Sequence, residues 1–257
     1  MDKGNRYYFI GIGGIGMSSI AKYLVANNFK VGGYDLTKTD ITKNLEKNGV
    51  EINYKDELKS IPSSFKNKSV VVIFTPAITI KNKQLLFFNK QGNQIFKRAE
   101  FLGYLTKKFK TIAIAGTHGK TTTAAILTHL FYKTRQSFTA FVGGILNEFN
   151  SKIIINGNKY AVVEADEYDR SFLNLNPSIG LVTSIDSDHL DIYGSFEEVK
   201  KSFKQFIKKI KNKVIVSKNL GINGITYSLN TKADYSANNI SFSKTGYFFD
   251  LTTPSNT

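Results

Sequence analysis

Short apolar runs alternate with stretches of helical period along most of this 257-residue chain. Tyr7-Tyr8-Phe9-Ile10 is unbroken and apolar, and Met17, Ile20, Ala21 and Leu24 follow at helical spacing. That pattern predicts a buried strand feeding a helix with one apolar face. The pairing recurs: residues 30–35 predict a strand, 39–48 an amphipathic helix with Ile41 and Leu45 on one side, and 51–53 a short strand. Val70-Val71-Val72-Ile73-Phe74 reads as a parallel strand covered on both faces. Residues 83–90 predict a helix, 95–97 a strand, and Arg98-Ala99-Glu100 opens another helix.

A second series follows a boundary near residues 104–109. It predicts a strand at 111–115, a helical pattern from Ala124 through Ala125, Leu127, Leu130 and Phe131, and a strand from 138 into a turn at Gly143-Gly144. A pair of strands at 153–155 and 160–164, a strand at 179–185, a helix at 196–210 and a strand at 214–216 complete it. The helix carries Val199, Phe203, Phe206 and Ile210 on its core face, and beyond Gly221 only short β segments are expected. Strands alternating with helices predict α/β architecture in two units, residues 1–107 and 108–257.

Composition narrows the chemistry. The chain has no cysteine, which removes disulfides, thiolate metal sites and cysteine nucleophiles together. No apolar run reaches the length of a membrane span, and residues 1–6 lack the apolar core of a signal peptide, so a cytoplasmic protein is expected. The net charge of +15 is carried almost wholly by scattered lysines; arginine occurs only at Arg6, Arg98, Arg135 and Arg170. Scattered charge suits anionic small molecules better than nucleic acid, which is not an expected partner.

Two glycine turns carry the candidate chemistry. Gly11-Ile12-Gly13-Gly14-Ile15-Gly16 sits at the first strand-to-helix turn, the context for a diphosphate on a helix N-terminus. Asp35 ends the next strand, where its carboxylate either accepts ribose hydroxyls or is a solvated turn residue. Thr75 and Ala77 lie in the loop leaving the strand at 70–74, and ligands of open α/β sheets bind at such ends. Taken alone, this motif also admits NAD. The second turn, Gly116-Thr117-His118-Gly119-Lys120-Thr121-Thr122, follows a strand and opens a helix. Glycines let backbone N–H groups curl around a phosphate, Lys120 adds a mobile charge, and Thr121 offers a hydroxyl to magnesium. Ile114 stands where the usual phosphate loop has glycine. Two phosphate loops point to ATP plus a nucleotide-linked substrate.

Glu164-Ala165-Asp166-Glu167-Tyr168-Asp169 places four carboxylates at the exit of a buried strand, which is costly unless a cation offsets them. Glu164 is the leading magnesium candidate, against the alternative of a solvated acidic loop. His118 lies within the phosphate loop, His129 reads as structural on the following helix, and His189 stands among Asp186, Asp188 and Asp191.

Four segments together resemble the Mur ligase family, the ATP-dependent amide ligases of peptidoglycan precursor synthesis: residues 11–18, 115–123, 164–173 and 188–193. The resemblance implies a Rossmann-like N-terminal domain followed by a P-loop ATPase-like central domain, and the family's shortened loop accounts for Ile114. It implies that Gly11, Gly13, Gly14, Ile15, Gly16, Asp35, Thr75 and Ala77 hold a UDP-sugar. It places ATP on Gly116, Thr117, His118, Gly119, Lys120, Thr121 and Thr122. Mg2+ falls to Thr121, Glu164 and His189, and catalysis to Lys120, His118, Glu164 and His189. The implied reaction activates the lactyl carboxylate of UDP-N-acetylmuramate as an acyl phosphate, which the amine of L-alanine attacks. The 11–17 loop and the 171–177 run resemble this alanine-adding branch, whereas residues 164–169 resemble the branch that attaches a recycled tripeptide. Several relatives carry a carbamylated lysine where Phe203 stands here, beside Lys204. The family has three domains, so the end of the central domain and the C-terminal domain are expected to be absent, and a catalytically incomplete nucleotide-binding fragment is the alternative reading.

Overall fold

The computed structural model describes residues 6–146, 149, 151–244 and 246–254. The signal-peptide reading rests largely on residues 1–5, which lie outside that set. The first sheet holds β1 (Arg6–Ile10), β2 (Lys30–Tyr34), β3 (Glu51–Asn53), β4 (Val71–Phe74) and β5 (Gln94–Lys97), all parallel in the order β3-β2-β1-β4-β5. Its helices are α1 (Ile15–Ala26), α2 (Asp40–Lys47), α3 (Lys83–Gln91) and α4 (Arg98–Thr106). The period-two alternation of β1 divides two cores. Tyr7 and Phe9 join the cluster under α1 and α4, while Tyr8 and Ile10 join Phe65, Val72 and Phe88 on the opposite face.

The second sheet contains β6 (Lys110–Ala115), with α5 (Lys120–Lys133) after it, then β7 (Phe138–Leu146), β8 (Ser151–Asn156) and β9 (Tyr160–Glu164). It continues with β10 (Ile179–Val182), α6 (Leu190–Tyr193), α7 (Phe196–Lys208), β11 (Lys213–Ser217), β12 (Ile225–Leu229), β13 (Tyr235–Ser243) and β14 (Gly246–Thr252). The strand order is β14-β13-β12-β11-β10-β6-β9-β7-β8, so β6 lies centrally with its glycine turn at the strand's carboxyl end. The cluster beneath α1 runs on through Ala113, Ala115, Val163, Phe172, Phe203 and Phe206, so one apolar core spans both sheets. Tyr23 of α1 meets Phe141 of β7 with ring centroids 5.7 Å apart.

Four local expectations change. Helix α5 begins at Lys120 rather than Ala124, because Gly119, with φ 82°, caps it directly from the turn. Strand β7 runs through Gly143-Gly144 instead of turning there. A side chain at Gly143 would meet the Glu164 carboxylate at 2.9 Å, so this glycine serves close approach. Strand β8 pairs antiparallel with β7, not with β9, which lies between β6 and β7. Leu130 of α5 is exposed rather than on a core face.

Candidate functional site

The glycine turn after β1 is held from three sides. Gly11 takes φ 85°, and a Cβ there would meet the Thr75 methyl at 2.5 Å. Gly11 N–H donates to the Tyr34 carbonyl at 2.8 Å. Asp35 Oδ2 accepts from Gly13 N–H at 2.7 Å, and its Oδ1 accepts from Thr37 N–H at 3.1 Å. Asp35 therefore shapes the turn from within. Gly14 precedes α1 as its N-cap, without a side-chain cap. Ile15 is exposed, Gly16 lies under Arg98, and Ala77 is exposed in the loop after β4.

The turn after β6 is braced by the residues that follow β10. Gly116 has φ 140°, and a Cβ there would stand 1.9 Å from Thr183 Oγ1. Thr183 Oγ1 donates to the carbonyls of Ala115 and His118. Thr117 N–H donates to the Ser184 carbonyl, His118 N–H to Ser184 Oγ, and Asp186 N–H to Thr117 Oγ1. The His118 ring is largely exposed, with Nε2 3.6 Å from Asp186 Oδ2. Thr121 and Thr122 occupy the exposed first turn of α5.

Lys120 folds back over the turn. Its Nζ donates to the carbonyls of Gly116 (2.5 Å) and Thr117 (3.2 Å) and to Glu167 Oε1 at 2.9 Å. Glu167 Oε2 is equally near, at 2.9 Å, but out of line for a hydrogen bond, so it is held by charge alone. Glu167 is 2% exposed. The cation that offsets the acidic segment is thus Lys120. Tyr193 O–H reaches the Glu167 carbonyl at 2.6 Å, and burial raises the Tyr193 phenol above its ordinary range.

Glu164 accepts from Thr121 Oγ1 at 2.6 Å and from Gly143 N–H at 2.5 Å. His189, with φ 55° before α6, turns Nε2 toward Glu167 Oε1 at 3.7 Å and Nδ1 toward Asp188 at 3.7 Å. The structure thus brings Thr121 and Glu164 together, and His189 lies beside Glu167. Among the described residues no three acidic or histidine side chains form a cluster able to hold a metal. Thr121 and Glu164 still fit magnesium, which takes one or two protein oxygens and fills its shell with water and phosphate. The Phe203 position is fully buried and meets Phe172 edge to face, so no modified lysine stands there.

Between the two turns lies a cavity of about 360 Å³, lined on one side by Ile15, Gly16 and Ser19 and on the other by Lys120, Gly143 and Glu164. Sequence reasoning missed Glu167, Thr183 and Arg98. The paired glycines inside an apolar run were the available signal for Gly143.

A model described as the Mur ligase middle domain matches residues 114–257, and one described as Mur ligase family, catalytic domain, matches residues 6–110. The chain belongs to the Mur ligase family. UDP-N-acetylmuramate–L-alanine ligase of Christiangramia forsetii is 46% identical over 98% of this chain, and that of Flavobacterium johnsoniae is 45% identical over 96%. The chain spans 57% and 56% of the length of those Mur ligases. The crystal structure of UDP-N-acetylmuramate-alanine ligase from Thermotoga maritima superposes with TM-score 0.79 at 26% identity, covering 97% of this chain and 58% of that one. A Neisseria ligase for UDP-N-acetylmuramate and a tripeptide shares the Mur ligase fold, with TM-score 0.83 at 19% identity over 97% of this chain and 84% of its own. No helix among the described residues is long and apolar enough to cross a membrane.

Proposed function

We propose that this chain is the nucleotide-binding part of an ATP-dependent Mur ligase that joins L-alanine to the lactyl carboxylate of UDP-N-acetylmuramate. The observation that carries the reading is the shared cavity: Gly16 of one glycine turn and Lys120 of the other face the same space. A nucleotide sugar on the first turn can extend its sugar toward a phosphate on the second. The alanine-adding branch is favoured by the names of the relatives above 40% identity.

A carboxylate does not condense with an amine in neutral water, so it must first be activated. The γ-phosphoryl group of ATP passes to a carboxylate oxygen, and the bond to ADP breaks. The neutral amine of alanine then adds to the acyl carbon, the C–O bond breaks with its electron pair leaving on phosphate, and the nitrogen gives up a proton to solvent or phosphate. The protein's part is positioning and charge stabilisation. The first turn of α5, which opens directly after Gly119, offers its unpaired N–H groups to the phosphates. Lys120, released from the turn carbonyls, neutralises charge on the β and γ phosphates, with Glu167 keeping it in the site. Thr121 and Glu164 would hold Mg2+, which supplies further neutralisation of phosphate charge. His118, whose ring is largely exposed, would meet the incoming carboxylate.

The test is phosphate release with ATP, UDP-N-acetylmuramate and L-alanine, run beside calorimetry with each ligand alone. Binding of both nucleotides without release identifies a nucleotide-binding part; release that requires alanine identifies a complete active unit. Failure to bind either nucleotide would overturn the proposal.

A further inference from the structure

We infer that Arg98 selects the nucleotide sugar by its carboxylate, holding that group in the cavity beside Lys120; the inference rests on the function proposed above. Arg98 opens α4, and α4 is anchored by buried Phe101 and Leu105 and by Gly103, where a Cβ would stand 2.2 Å from the Asn174 carbonyl oxygen. The guanidinium start point is therefore well set. The side chain lies over bare Gly16, where a Cβ would meet Arg98 Nη1 at 2.8 Å.

The other charges lining this cavity, Lys120, Glu164 and Asp166, are engaged, with Asp166 Oδ1 accepting from Tyr168 N–H at 3.0 Å. Lys120 is held by two carbonyls and Glu167, and Glu164 by Thr121 and Gly143. Arg98 differs. Among the described residues its ionic partner is Asp166, with Nη2 3.9 Å from Oδ2, too long for a hydrogen bond. Its planar donor fork is free to take a carboxylate with two parallel bonds.

The cavity lining also says which part of the ligand arrives there. Ile15, Gly16, Ser19 and Ile20 line it, whereas Gly11, Gly13 and Asp35 of the diphosphate turn do not. Leu102, Phe141 and Val142 give it apolar walls suited to a sugar body with one charged substituent. The cavity accordingly takes the sugar end, and Arg98 meets the substituent that distinguishes a muramate from a plain hexosamine.

The experiment is calorimetry on the full chain with UDP-N-acetylmuramate, with UDP-N-acetylglucosamine, which lacks the lactyl carboxylate, and with ATP. The wild type is expected to prefer the muramate. Arg98→Ala is expected to lose about tenfold or more of the muramate affinity, the scale of a charged hydrogen bond, while its affinities for the glucosamine form and ATP stay unchanged. Unchanged ATP binding reports an intact fold. Arg98→Lys keeps the charge without the fork and is expected to recover only part of the loss. Equal losses for both sugars would overturn the inference, since they place Arg98 on the diphosphate or in the fold. A muramate preference that survives in Arg98→Ala overturns it alone. Wild-type protein that binds neither sugar overturns the functional proposal as well.

Discussion

Lys120 and Glu167 form a buried ion pair, the ammonium 2.9 Å from both carboxylate oxygens and the two side chains 15% and 3% exposed. One partner belongs to the phosphate turn and the other to the acidic segment after β9, so the pair ties them together. Breaking it by Lys120→Met leaves an uncompensated buried carboxylate, at a cost of about 3–5 kcal/mol. The double variant Lys120→Met with Glu167→Gln removes that charge and is expected to regain most of the stability. ATP affinity stays weakened in both, because the phosphate-facing charge is gone. Urea unfolding and ATP calorimetry separate the two effects. A single variant as stable as wild type would show that the pair does not hold the segment.

Asp35 acts on its neighbour's turn through the 2.7 Å hydrogen bond from Gly13 N–H. A bond to a charged acceptor contributes about 1.5–3 kcal/mol. Asp35→Ala is expected to loosen the turn and lower nucleotide-sugar affinity about tenfold, with ATP affinity unchanged. A comparable loss of ATP affinity would show that the effect is not local to the first turn.

Gly103 sets local preference against packing. Alanine is the better helix former by about 1 kcal/mol. Its Cβ, however, would lie 2.2 Å from the Asn174 carbonyl oxygen and 2.9 Å from its carbon, both backbone atoms. Forcing such overlap costs about 1–3 kcal/mol and shifts backbone. Gly103→Ala should therefore lower the melting temperature, and a rise would show that α4 does not press on the 168–174 segment.

Tyr8 makes stability depend on alkaline pH. Its hydroxyl is buried, donates to Gln84 Oε1 at 2.7 Å and accepts from Asn53 Nδ2 at 2.6 Å. Burial raises its pKa above the ordinary 10.0, and burial raises Tyr34, Tyr54, Tyr193 and Tyr227 in the same direction. The folded state prefers the neutral phenol, so the contribution is full below the unfolded pKa and is lost as pH rises through the folded one. Tyr8→Phe orphans its partners and should cost about 1–3 kcal/mol near neutral pH. The gap to wild type should narrow above about pH 10. Chemical unfolding across that range is the measurement, and a constant gap would contradict it.

Much of the fold was legible because its signals are local. Buried parallel strands read as apolar runs, and glycine turns need residues with no side chain wherever they stand. The two glycine turns, the Lys-Thr step and the strand-helix alternation follow from short stretches of chain. Which of four clustered carboxylates meets Lys120 does not, since Glu164 still belongs to β9 while Glu167 has left it for a helical backbone at φ −76° and ψ −20°. Glu164 faces Thr121, while Glu167 turns inward to Lys120 and His189. Likewise, nothing near Gly143-Gly144 separates a turn from a strand until Glu164 is known to press on it.

The sequence by itself determined two glycine turns, their strands and helices, and the family, because each is written in contiguous residues. Only the tertiary structure decided that Lys120 pairs with Glu167, that Glu164 meets Thr121 and Gly143, and that Arg98 opens onto the cavity between the turns. Those relations join residues tens of positions apart, and the cavity depends on how two sheets share one core.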